Sequence, residues 1–382
     1  MTAGQRLRYR RMRIEIESPE QLGYATIQNN LAESSFTDMR LAEYGVDADL
    51  GQMLLPYGDH LGDERLRRLI VDGTDLAPTD VIVTSGAASA LFIVATSLLS
   101  ESAHAVVCAP NYATNLETPR AIGADLETID LRFENRWRLD LDQLASRLRP
   151  ETQLVSVTYP HNPTGSTITP AELAELVAVV EGHPSATLLV DETYRDLAYG
   201  APLPVAAALS PRVVSLSSMS KTYGLPGLRV GWLICRDESR METFLAAKEQ
   251  IFISGAVIDE ELTARVLERR DAALGHVHTK TQKHLALVRE WITDHDVFEW
   301  VEPQAGVVCF PRIRPELEVD TDRFYQALFE EYGTYVGPGW WFDQDPSFFR
   351  LGFAWPTKEQ LERGLNGLDQ AAVRSTSHAF ER

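Results

Sequence analysis

SSMSKTYGLPGLRVGW, residues 217–232, sets Lys221 in a serine-rich turn, with the strand-like run RVVSLSS before it and Arg229 eight residues after it. A solvated surface lysine needs no such setting. A lysine that forms an imine needs an enclosed pocket, cationic and hydrogen-bonding neighbours, and something to anchor its electrophile. What surrounds Lys221 therefore decides between a surface residue and a chemical one.

Outward from this stretch, from about residue 65, short β-branched or apolar runs alternate with segments of helical period. That alternation is the pattern of a mostly parallel sheet covered by helices. The strand candidates are residues 80–86 (DVIVTSG), 104–110 (HAVVCAP), 153–160 (QLVSVTYP), 186–192 (ATLLVDE), 212–218 (RVVSLSS) and 231–235 (GWLIC). Between them, TPAELAELVAVVEGH opens on Thr169, Pro170 and Glu172, three helix-start residues. A long helical region is expected after residue 240, and the last ninety or so residues then turn to a mixed pattern with strand-like VVCF and FFRLGFA. This part, completed by the N-terminal segment, forms a second, α+β lobe.

Composition narrows the classes. The 382 residues are 44% hydrophobic and 24% charged, which is ordinary for a globular chain and excludes fibrous and disordered ones. A formal charge of -19, from 55 acidic against 36 basic residues, disfavours a nucleic-acid partner, which needs a basic face. Cys108, Cys235 and Cys309 are far apart, two of them within apolar runs, and are expected to be core thiols. No run of about 18 apolar residues proposes a membrane span. The start, MTAGQRLRYRRMRIEIES, is basic without the apolar core of a signal peptide; it suggests a disordered tail ahead of Met12 and a cytoplasmic protein.

In open α/β sheets ligands bind beyond the carboxyl ends of the strands, and the polar residues of this chain concentrate there. Ser85, Gly86, Ala87 and Ala88 end one strand and open a helix, where small residues let backbone N–H groups approach an anion. Tyr112 follows the next strand, Asn162 lies in HNPTG after the third, Asp191 and Tyr194 end the fourth, and Ser218, Ser220 and Lys221 end the fifth. Singly, each has a bland reading as turn residue, cap or core aromatic. Together, an anion cradle, an aromatic plate, a carboxylate, neutral hydrogen-bonders and a lysine are what a pyridoxal phosphate site requires.

On these residues the chain resembles the class I and II aminotransferases, fold type I pyridoxal phosphate enzymes, over roughly residues 55 to 370. SSMSKTYGLPGLRVGW resembles the family's lysine signature, HNPTG its asparagine loop, DETY its aspartate and tyrosine pair, YGDHLGDERLRRLI its early tyrosine motif and FFRLGFA its late arginine strand. The resemblance implies an α/β fold: a large domain over 46–285 with a mostly parallel, seven-stranded sheet sandwiched by helices. Residues 1–45 and 286–382 would form the smaller α+β domain. It also implies that Lys221 carries the cofactor as an imine and shuttles the substrate proton, and that Asp191 keeps the pyridine nitrogen protonated. Asn162 and Tyr194 would bond the cofactor's phenolate oxygen, and Tyr112 would stack on its ring. Gly86, Ala87, Ser218 and Arg229 would hold its phosphate, with Ala88 and Ser220 also among the cofactor-binding residues. Tyr57 would reach the phosphate of a neighbouring subunit, implying a homodimer, and Arg350, aided by Asn162, would hold the substrate α-carboxylate.

The implied activity is transfer of an amino group between an L-amino acid and a 2-oxo acid. The departures from the family are NNLAESSFTDMRLAEYG at 29–45, where a glycine-rich stretch is usual, Asn115 where a second aromatic is common, and the bulky Trp340, Trp341 and Phe342. They leave a second reading open, a lyase or cyclase acting at Cβ or Cγ of an amino acid, for example one derived from arginine. A DNA-binding regulator would add a helix-turn-helix module, for which the roughly 55 residues before Tyr57 leave little room. A nicotinamide dehydrogenase is disfavoured because no G-x-G-x-x-G follows an early strand.

Overall fold

A computed structural model describes residues 7–47 and 50–376. In chain order its first strands are β1 (Asn29–Leu31), β2 (Val81–Thr84), β3 (His104–Ala109), β4 (Asp125–Asp130), β5 (Thr152–Thr158), β6 (Thr187–Asp191), β7 (Val213–Ser218) and β8 (Gly231–Cys235). Among the described residues β2 to β8 form one seven-stranded sheet, in the order β2-β8-β7-β6-β5-β3-β4. β7, β6, β5, β3 and β4 pair in parallel, and only β8 runs antiparallel to its neighbours. Every residue of β2, β3, β6 and β8 is buried, because helices cover both faces and leave no polar side to the strand. That burial is why the runs in the sequence are continuous rather than alternating.

β4 is the strand that the apolar pattern does not reveal. Its sequence DLETID has a single buried residue, because β4 forms the sheet edge beside β3, where charged side chains discourage pairing with another chain. The helices follow their start signals. Thr169 Oγ1 accepts from the Glu172 N–H while the Glu172 carboxylate accepts from the Thr169 N–H, a reciprocal cap of the kind that stabilises by about 1 kcal/mol. Beyond residue 237 the expected long helical region is three helices, Glu238–Ile251, Val257–Leu267 and Arg270–Asp294. Between the last two, the Arg269 guanidinium turns back to the carbonyls of Tyr44 and Gly45. The third helix continues unbroken past residue 285.

The remaining strands are β9 (Phe298–Glu299), β10 (Val308–Cys309), β11 (Arg312–Ile313), β12 (Thr334–Pro338) and β13 (Phe349–Gly352). β1, β12, β13 and β10 make a second sheet in that order, with β1 parallel to β12 and Asn29 opposite Thr334. The N-terminal segment thus completes the smaller α+β lobe. Its core packs the rings of Phe298, Phe324 and Phe349 against the helix Lys358–Ser375.

Residues 1–6 of the basic start lie outside the described residues. The part of the expected tail that is described is docked instead: the Arg8 N–H donates to Ala121 O at 3.0 Å and the Tyr9 ring meets Phe92. All three cysteines are buried and free, and among the described residues no helix is long and apolar enough to cross a membrane.

Candidate active site

Successive strand ends converge on one cavity of about 420 Å³. At the end of β2 the chain turns through Gly86, whose φ of +76° begins a 13-residue helix. A Cβ at Gly86 would lie 2.5 Å from Arg229 Nη2, and one at Gly231 would lie 2.5 Å from the Gly86 carbonyl carbon. Helix N-terminus, β8 and guanidinium are therefore in contact only because side chains are missing there. Arg229 itself has a left-handed backbone, φ +49°, a conformation a non-glycine residue keeps only where its surroundings impose it. Its Nη1 donates to Ser220 Oγ at 3.2 Å and to Pro226 O at 3.0 Å. Ala87, Ala88, Ser218 and Ser220 line the cavity beside it, so helix dipole, hydroxyls and guanidinium together favour a phosphate-sized anion.

The same cavity holds further titratable groups. Asp191, at the end of β6, is buried and accepts from the Thr193 N–H at 3.0 Å and Thr193 Oγ1 at 2.6 Å. Burial raises its pKa and these bonds oppose the rise. Tyr112 presents its ring to the cavity while its hydroxyl donates to Glu15 at 3.1 Å, and burial raises the hydroxyl pKa. Tyr194 donates to Ser34 O at 2.6 Å, and burial pushes its pKa up to about 12. Lys221 Nζ donates to Ser34 Oγ at 3.1 Å. Burial lowers the Lys221 pKa, with Glu33 pulling the other way and Arg350 reinforcing the drop. A lysine so placed is more readily available as a neutral nucleophile.

Arg350, in the middle of β13, is 3% exposed. Its Nη1 donates to Asn162 Oδ1 at 3.1 Å and its Nη2 to Ala32 O at 2.7 Å, whereas its Nε has no hydrogen-bond partner. The guanidinium packs on the rings of Phe342 and Trp341, at 5.1 Å and 5.8 Å from their centroids. Trp341 forms part of the cavity wall, its indole N–H donating to Glu17, as does that of Trp340. Phe342 belongs to the core.

In family and fold the chain resembles known proteins. The model of the family aminotransferase class I and II matches residues 26–368. The chain belongs to this family. Capreomycidine synthase of Streptomyces vinaceus is 33% identical over 326 residues, which are 84% of this chain and 82% of that one. A pyridoxal phosphate-dependent aminotransferase from Streptococcus suis superposes with a TM-score of 0.88 at 25% identity, over 96% of this chain and 99% of that one. The pyridoxal phosphate-dependent cyclase OrfR superposes with a TM-score of 0.85 at 28% identity, over the same shares of the two chains.

This aminotransferase-family chain is therefore an enzyme, and pyridoxal phosphate is its cofactor. The residues present fit that group. The side-chain-free cradle at Gly86 accommodates a phosphate, the buried Asp191 suits a protonated ring nitrogen, and the lysine with the lowered pKa lies in the same cavity. Of the residues singled out in the sequence, Ala87, Ala88, Tyr112, Asn162, Asp191, Tyr194, Ser218, Ser220, Lys221, Arg229 and Arg350 all line it. Gly86 stands behind Arg229, and Tyr57 is away from the cavity and 84% exposed.

Sequence reasoning missed the N-terminal wall, where Glu15, Glu20, Ala32, Glu33 and Ser34 line the cavity. The unusual stretch at 29–45 marked the place without revealing its chemistry. It also missed the layer under Tyr112. Asn111 Oδ1 accepts from the Tyr112 N–H, Thr158 Oγ1 and Asn115 Nδ2, and Asn115 Oδ1 accepts from Ser156 Oγ. Asn115 is thus a buried bracket.

Proposed function

We propose that the enzyme moves an amino group between an L-amino acid and a 2-oxo acid. One observation carries this reading: a lysine whose pKa is lowered by burial shares a cavity with a buried arginine that retains an unpartnered nitrogen. Pyridoxal phosphate, when bound, supplies an electron sink for the charge that develops at the substrate Cα. Lys221 holds the cofactor and then takes up and returns the Cα proton through Nζ. Asp191 keeps the ring nitrogen protonated, Tyr112 covers the ring face, and Asn162 donates toward its phenolate oxygen, as Tyr194 would once its hydroxyl turns from Ser34 O. Ala87, Ala88, Ser218, Ser220 and Arg229 bind the phosphate, with Gly86 providing the space. Arg350 orients the substrate through its carboxylate, for which a two-pronged donor is suited.

The test is an absorbance titration of the holoenzyme with single amino acids in the absence of an oxo acid. Conversion to the pyridoxamine form, reversed by a 2-oxo acid, is the expected result. A failure of every amino acid to produce it would overturn the reading. In Lys221→Ala the fold should persist while the visible band of the attached cofactor disappears.

A second reading is favoured by similarity to a synthase and to a cyclase. In it the same residues hold an amino acid whose Cβ or Cγ reacts while its amino group is retained. Spectral change without pyridoxamine, and a product that keeps its α-nitrogen, would decide for it.

The proposal includes a homodimer in the cytoplasm. Leu54, Leu55 and Tyr57 are 83%, 60% and 84% exposed, an apolar edge that a second copy would cover while its partner's cavity receives Tyr57. Three free thiols suit a reducing compartment.

A further inference from the structure

We propose that the amino-acid substrate carries a cationic side chain, a guanidinium or an ammonium, which Glu33 receives together with Glu15 and Glu20. This deepens the reading above and rests on it, because Lys221 and Arg350 there mark where the substrate Cα and carboxylate lie.

The cavity that contains those two residues is also lined by Glu15, Glu20 and Glu33. The charge of each of the three is felt at Lys221, and those of Glu33 and Glu15 also at Arg350. The cations lining the cavity are Lys221, Arg229 and Arg350. Each has a task, respectively the cofactor, its phosphate and the substrate carboxylate. Among the described residues no ion pair holds any of the three glutamates: Glu15 accepts from Tyr112 and Glu33 from Tyr24. Once a carboxylate is bound at Arg350, three acidic groups face a filled cavity without a cation. A positive side chain restores the balance, and a guanidinium fork matches carboxylates in geometry as well as charge.

Arg350 is an observation independent of the carboxylates. A guanidinium buried to 3% exposure that lines this same cavity, with no ion pair among the described residues, points to an absent anionic ligand there. It fixes one end of the substrate and leaves the glutamate wall for the other. The alternatives fare worse. A substrate with a distal carboxylate would meet Glu33 with no further arginine lining the cavity, and a plain apolar side chain would strip water from carboxylates and give nothing back. Burial already raises the Glu33 pKa, with the charges of Lys221 and then Arg350 opposing the rise; once Arg350 is engaged by a substrate carboxylate, this group gains from a further positive neighbour.

The test uses the holoenzyme at low salt and four probes, L-arginine, L-lysine, L-norleucine and L-glutamate, with dissociation constants read from the change in cofactor absorbance whether or not turnover follows. L-Arginine or L-lysine should bind at least about ten-fold more tightly than L-norleucine, and L-glutamate should bind most weakly. The better of the two bases tells guanidinium from ammonium. Glu33→Gln should reduce the preference for base over norleucine by about ten-fold, and the exposed Glu20→Gln should move it the same way by less. Norleucine or glutamate binding as tightly as the bases, or both variants leaving the preference untouched, would overturn the proposal. A base that binds tightly but never yields pyridoxamine would sink the transfer reading and support the cationic side chain. Pyridoxamine formed from glutamate without any preference for bases would do the reverse.

Discussion

Gly86 and Arg229 occupy adjoining space: a Cβ on the glycine would stand 2.5 Å from Nη2 of the arginine. The φ of +76° adds a backbone demand that alanine meets only at a cost of about 1–2 kcal/mol. Gly86→Ala should therefore fold, unfold slightly earlier, and displace the guanidinium from the phosphate position. The expected result is a cofactor dissociation constant raised at least about ten-fold, measured by titrating the cofactor-free enzyme. Unchanged affinity would remove Arg229 from the phosphate site.

Arg350 is the complementary case. Arg350→Lys retains charge but cannot donate simultaneously to Asn162 Oδ1, Ala32 O and a carboxylate in the geometry of a planar fork. Amino-acid affinity should fall by about ten-fold or more while the cofactor spectrum and affinity stay as they are. An equal loss of cofactor and substrate affinity would show that the residue serves the fold rather than the substrate.

Asn111 is the bracket beneath Tyr112, and one oxygen receives three donors. Asn111→Ala leaves the Thr158 hydroxyl and the Asn115 amide without their buried acceptor, a loss of about 1–3 kcal/mol for each unsatisfied group. The midpoint of denaturant unfolding should drop at constant slope. Stability equal to that of the parent would mean that these groups find other partners.

Glu192, next in the chain to Asp191, is buried, and burial pushes its pKa up to about 7. A carboxyl raised in the folded state stabilises while it is protonated, so its contribution is present below its unfolded pKa and is lost as pH rises toward 7. Glu192→Gln keeps an oxygen for the Ala206 N–H and Ser215 Oγ. The variant should gain on the parent by up to about 3 kcal/mol between pH 4.5 and pH 8, and unfolding measured at both pH values reads the difference directly. A gap that does not change with pH would refute the assignment.

The cofactor half of the site was legible because its members lie beside strand ends in short stretches of definite chemistry. Lys221 and Arg229 fall within the one loop between β7 and β8, and Asp191 terminates an apolar run. Beyond Arg350 and Asn162 the substrate half was not, since it is assembled by contacts remote in the chain. Ser34 meets Lys221 across 187 positions, and β1 reaches β12 across some 300. No local pattern encodes such pairings. β4 escaped for another reason: an edge strand can be polar, so its apolar periodicity is weak.

The parallel pairing of β1 with β12 has a temporal meaning. Ala32, Glu33 and Ser34 leave β1 directly into the cavity, but β1 acquires its hydrogen-bonded neighbour only when residues 334–336 exist. On the ribosome, where a chain folds from its beginning, β2 to β8 can assemble while the cavity still lacks the wall that meets the amino acid. A prematurely ended product would thus be able to form the cofactor sheet without the means to select a substrate.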